Sequence, residues 1–179
     1  MTPSMKRSKA VIEDKREPRI RSLLDSLASR DPVVREKARG SLVVVGKSAV
    51  PWLIPLLSHR KVHVRWEAAK TLCDIADPIA ATALVNALDD SEGDVRCLAA
   101  EGLAALGRDG LHPVLAALLE RAQSPWFCEG AHHVCHTLAK KKRLGTILRP
   151  VLAALEQAEP AIGVPPAAYA ALSKLRESP

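Results

Sequence analysis

Aromatic side chains are nearly absent from this chain, with three Trp, one Tyr and one Phe in 179 residues. Ala and Leu must therefore do most of the packing, which suits helices stacked at close range, and their helix propensity supports an all-α fold. No run of eighteen apolar residues occurs, so a transmembrane helix is not expected. The stretch Met1–Ile20 is too charged for the apolar segment of a secretory signal, and the expectation is a cytoplasmic protein with no membrane partner. Cys73, Cys97, Cys128 and Cys135 show neither the CxxC pairing of a zinc ribbon nor a small secreted framework, which points to reduced thiols. A Ser-His-Asp order, a P-loop, a Gly-rich dinucleotide loop and a Cys-His nucleophile context are also missing, so no motif argues for an enzyme.

What is present is a repeat. Val64, Ala68, Leu72 and Ile75 lie at offsets 0, 4, 8 and 11, which on a helix form one apolar stripe. The same offsets return at Val34, Ala38, Leu42 and Val45; at Val95, Ala99, Leu103 and Leu106; at Phe127, Ala131, Cys135 and Leu138; and at Val164, Ala168, Leu172 and Leu175. A second apolar helix precedes each copy, typified by Leu53, Ile54 and Leu57. Such hairpins cannot bury their stripes alone and must stack. The expected architecture is an all-α, right-handed α-solenoid, a superhelix of five hairpins and about ten helices. Residues 1–17 form a basic tail, and a solenoid over 18–179 carries repeats at about 18–46, 48–77, 78–107, 109–140 and 143–177.

Local signals set the boundaries. Asp31-Pro32 and Ser124-Pro125 each pair a capping side chain with a first-turn proline, and Gly46 stops the second helix. Pro55 predicts a kink within Pro51–Ser58. A helix is expected from Ile79 to Leu88, and the acidic loop from Asp89 to Asp94 should place negative charge at the start of the Val95 helix. Glu159, Pro160, Gly163, Pro165 and Pro166 suggest a lengthened turn before a last helix from Ala167 to Glu177.

With the copies aligned, Val34-Arg35, Val64-Arg65 and Val95-Arg96, each followed by Ala, Leu and a Gly or Ala-Asp stop, resemble HEAT repeats of the short phycobilisome-lyase-like type. The resemblance implies architecture more than activity, since one fold hosts many functions.

Positions opposite the buried stripe, at offsets 2, 6, 9 and 13, should point into a groove lined by the second helices. They include Trp66, Lys70, Glu101, Glu129, His133 and His136, the candidate partner contacts, with Lys70, Glu101 and His133 expected side by side. Asp77 and Arg108 fall in the same rows, as do Pro166, Ala170 and Glu177 of the fifth copy. Trp66 is either a binding anchor or cover for the neighbouring repeat. Glu129, His133 and His136 share a helix face at spacings of four and three, a pattern able to hold a divalent transition metal, the one cofactor candidate. The alternatives are a local Glu129–His133 hydrogen bond and a Lys70–Glu101 ion pair without metal. Cys135 reads as a buried thiol, and His132 as a bridge between repeats.

Three functions follow. The leading one is a non-enzymatic scaffold that receives a protein or peptide partner in its concave groove. The alternative is a metal- or cofactor-binding protein using the His132–His136 cluster. Deoxyhypusine hydroxylase, a metal-binding branch of the HEAT class, uses His-Glu dipeptides, and none occurs here. The third is nucleic-acid binding through the basic tail; HEAT-like alkylpurine DNA glycosylases use a basic groove with aromatic and acidic residues, but the mapped groove here mixes both charge signs and gives phosphates no track.

Overall fold

In the computed structural model, which describes residues 17–177, the chain runs through ten helices, and the described residues contain no strand. They are α1 over 17–27, α2 Pro32–Val45, α3 Val50–Leu53, α4 Val62–Ile75, α5 Ala81–Ala87, α6 Gly93–Ala105, α7 Arg108–Arg121, α8 Pro125–Ala139, α9 Lys142–Leu155 and α10 Pro160–Arg176. The expected basic tail falls on residues outside those described, apart from Glu17, which is already helical.

The caps act as their chemistry dictates. Asp31 Oδ1 accepts from the Val33 amide at 2.8 Å, and Ser124 Oγ accepts from the Phe127 amide at 3.2 Å. Gly46 ends α2 with φ +70°, a conformation costly for any residue with a Cβ. After α3 the chain tightens into a 3-10 segment, Ile54–Ser58, because Pro55 has no amide hydrogen for an α-helical bond. Asp77 caps a 3-10 turn, Pro78–Ala80, that leads into α5.

Two expectations about helix extent are corrected. α10 starts at Pro160 rather than Ala167 and carries Pro165 and Pro166 inside it. Proline's fixed φ is helical. The carbonyls left without donors lie toward the exposed side, and burial of Val164 and Ala168 holds the segment in place. The stretch Pro32–Ser58 is long and apolar enough to cross a membrane by length and composition, with mean hydropathy 1.5 in its best window. A count of uninterrupted apolar residues misses it, because Ser41, Gly46, Lys47 and Ser48 break the run. The stretch is not one straight rod. It turns at Gly46, tightens at Pro55, and sends Leu42, Ala49, Val50, Leu53 and Leu57 into the core.

The repeated stripe is the core seam. Val64, Ala68, Leu72, Val95, Ala99, Leu103, Phe127, Ala131, Cys135, Leu138, Val164, Ala168, Leu172 and Leu175 are all buried. Val45, Ile75 and Leu106 are half-buried, and Val34 is the exposed member at 38%, since among the described residues no earlier hairpin covers it. Along one layer α2 packs on α4, α4 on α6 and α6 on α8.

The last hairpin departs from that order. α9 packs on α8, while α10 packs on α7 and α9, so α7, α8, α9 and α10 form a ring of four neighbours. Gly145 permits the tight turn between α8 and α9, since a Cβ there would lie 2.5 Å from the Ala139 carbonyl oxygen. Pro166, Ala170 and Glu177 therefore leave the expected groove row, and α9 stands where α10 was expected.

Candidate functional site

The arginine of each Val-Arg pair is the first link between repeats. Arg35, Arg65 and Arg96 reach back to the loop before their helix, donating to the carbonyls of Ser29, His59 and Asp90 at 3.1, 3.0 and 2.8 Å. They also reach forward to an acid of the next repeat. Arg35 meets Glu67, Arg65 grips both oxygens of Asp90, and Arg96 lies 4.0 Å from Glu129. In the fourth copy the arginine is replaced by Cys128, whose thiol donates to the Ala122 carbonyl at 3.3 Å, again six residues back. In the sequence these residues stand out only as a repeat signature. Their recurrence at one offset was the available signal for a clasp.

The acidic loop serves the same purpose. Only Asp94 stands in the first turn of α6, whereas Asp90 turns back to Arg65 and Asp89 accepts from Arg121 and the Ser124 hydroxyl. Burial favours the neutral acids, but these donors outweigh it and hold both carboxyls below the usual carboxylate range.

The scarce aromatics seat arginines from other helices. Arg21 lies over Trp52, Arg39 over Trp66, Arg96 over Trp126 and Arg121 over Phe127, at 5.2, 5.6, 4.9 and 4.3 Å from the ring centres. Trp66 is thus partly buried cover between repeats. Trp126, 48% exposed, is the more accessible indole, and its position outside the stripe and the groove rows kept it off the candidate set.

Between α6 and α8 lies a shallow cleft of about 120 Å³, lined by Gly93, Arg96, Cys97, Ala100, Glu129, Gly130 and His133. Two of the six candidate contacts, Glu129 and His133, meet there. Glu101 is one turn along, where its carboxylate faces the Cys97 thiol at 3.9 Å. Lys70 bonds Asp74 at 2.9 Å rather than pairing with Glu101, because the partner one turn along its own helix is closer. Glu129 turns to Arg96 instead of bonding His133.

His136 leaves the proposed metal set. Its ring stacks on His132, centroids 6.0 Å apart, and His132 bridges α8 to Glu156 at 3.3 Å, the inter-repeat role expected of it. Among the described residues no three His, Cys, Asp or Glu side chains gather closely enough to hold a metal ion. Two other expected groove residues serve structure: Asp77 is a buried cap, and Arg108 donates to the Leu175 carbonyl at 2.6 Å, tying α7 to α10.

All four thiols are held above the ordinary thiol range. Burial pushes Cys97 up, with Glu101 and Asp94 adding to it, and burial alone pushes Cys135 up to about 12. The α6–α8 face offers shape, one partly buried cation, a carboxylate and an imidazole.

Comparisons with known proteins agree with this fold. Residues 20–104 match the family described as HEAT repeats. Among curated proteins no sequence matches. The structure of the complex of CpcE and CpcF of phycocyanin lyase from Nostoc sp. PCC7120 contains a similar chain. The likeness covers 85% of this chain and 96% of that one, with a TM-score of 0.57 and 27% sequence identity. The chain is an all-α solenoid whose residues 20–104 match the HEAT-repeat model and whose structure is similar to that phycocyanin lyase chain.

Proposed function

We propose that this chain is a non-enzymatic interaction module that receives a protein or peptide segment on the face formed by α4, α6 and α8. The observation that carries this reading is the α6–α8 cleft, lined by Gly93, Ala100 and Gly130, where Glu129 and His133 remain exposed beside an exposed Trp126. A rigid stack supports it by lowering the ordering cost of binding. Likeness to a chain solved within a two-protein complex is further support. Four free thiols suit the cytoplasm, which we take as the site of action.

A photo-crosslinking side chain placed at His133, and separately at the exposed Ala116 of α7, tests the face in the native cell. A protein adduct from position 133 and none from 116 is the expected result. Equal adducts from both, or none from 133, would overturn the assignment.

A further inference from the structure

We propose that the turn between α8 and α9, with the neighbouring ends of α7 and α10, forms a second docking surface that takes an acidic protein segment carrying an aliphatic side chain. A cleft of about 270 Å³ opens there, lined by Arg108, Lys141, Arg143, Leu144, Ile147 and Leu175. It shares no residue with the α6–α8 cleft. Arg108, the first residue of α7, brings the helix ends together by donating to the Leu175 carbonyl near the end of α10. The run Lys140 to Arg143 joins α8 to α9, and Lys174 and Arg176 stand in the last turn of α10. This end of the ring therefore holds seven cations against Asp109 and Glu177.

Helix electrostatics explain only part of that cluster. Cations suit the carboxyl ends of α8 and α10, where Lys140, Lys174 and Arg176 complement the last carbonyls. The start of α9 is the reverse case. It has no acid in its first turn and takes no side-chain cap from Lys141, so Lys142 and Arg143 stand where the dipole disfavours positive charge. Lys141 and Lys142 are exposed, and among the described residues neither has an ion-pair partner. A local conflict of this kind is what a binding surface leaves in a fold.

The cleft selects among polyanions. Its floor is aliphatic and recessed, with Leu144, Ile147 and Leu175 only 8%, 8% and 5% exposed. A partner must send an apolar group inward, whereas docking on a membrane would require these side chains to protrude. No aromatic lines the cleft, so it offers nucleic-acid bases nothing to stack on. An acidic segment with a Leu or Ile between its carboxylates satisfies both the rim and the floor.

Fluorescence anisotropy of a labelled peptide of about ten residues, one Leu flanked on both sides by Asp and Glu, reads the affinity for the full chain. The peptide should bind in the micromolar range, and replacing its Leu by Ser should weaken binding about ten-fold or more, the worth of one buried aliphatic side chain. Lys141→Glu with Lys142→Glu should also weaken it about ten-fold or more while leaving the Tm unchanged or higher, since acids suit the start of α9. The same charge change on the amino-terminal hairpins, Lys37→Glu with Lys61→Glu, should leave the affinity unchanged. Absence of binding, equal affinity for the Leu and Ser peptides, or equal loss from both pairs of substitutions overturns the proposal. A duplex oligonucleotide, or vesicles of phosphatidylserine and phosphatidylcholine, bound more tightly than the peptide and released by Lys141→Glu with Lys142→Glu would overturn it too, assigning the surface to nucleic acid or to a membrane.

Discussion

Glu67 offers the sharpest test of how this stack holds together. It is 4% exposed, and it is tolerated in α4 because Arg35 Nε at 3.1 Å and Arg39 Nη1 at 2.6 Å reach it from α2. Glu67→Ala would leave two guanidinium groups, 19% and 20% exposed, facing an empty carboxylate site. Breaking a fully buried pair costs about 3–5 kcal/mol. Arg35 keeps its bonds to Ser29 and Arg30, and both heads reach water in part, so the expected loss is about 2–3 kcal/mol. For a chain of this size that lowers the Tm by about 4–12 °C. Glu67→Gln keeps the shape and one acceptor and should cost about half as much. The assay is urea unfolding followed by far-ultraviolet circular dichroism, with tryptophan fluorescence as a second probe and a double-mutant cycle against Arg39→Ala. A loss below about 0.5 kcal/mol would refute the clasp as a stabilising device and leave the apolar seam to hold the repeats together alone.

Gly110→Ala should destabilise by about 3 kcal/mol or abolish soluble expression, because the new Cβ would lie 2.1 Å from the Leu103 carbonyl oxygen, and thermal melting reads this. Folded Asp89 and Asp90 have lowered pKa values, so their stabilising contribution is complete above the unfolded value of about 3.9 and disappears as pH falls through the lower folded values. Urea midpoints measured from neutral pH into acid should stay level and then drop, and Asp89→Asn should flatten part of the drop. Thiol labelling of the native protein should modify Cys97 first and leave Cys135, with no exposed surface and a pKa of about 12, unlabelled until unfolding.

The helices and their pairing were legible because a stripe such as Val64, Ala68 and Leu72 encodes burial directly, and caps such as Asp31 and Ser124 act within their own turn. The order of the last pair was not legible. Leu172 and Leu175 are buried whether α10 lies on α7 or on α8, so an apolar pattern records that a face is covered without recording by what. Side-chain partners were hidden for a related reason. Lys70 bonds Asp74 rather than Glu101, and His136 stacks on His132 rather than joining His133, choices set by side-chain rotamers that a helical wheel does not carry. Glu67 went unnoticed because a wheel places it on a flank, where only the two arginines of the preceding helix explain why it can be buried.

The ring made by α7 to α10 gives the molecule two unlike ends. Each of those four helices is held by two others close by in sequence, whereas among the described residues α2 has a neighbour in its layer, α4, on one side only. Fraying should therefore begin at the amino-terminal hairpin and advance one step at a time, while the carboxy-terminal quartet opens last and as a unit. Backbone amides would show this as a gradient of deuterium uptake, steepest near Val34 and shallowest near Leu148.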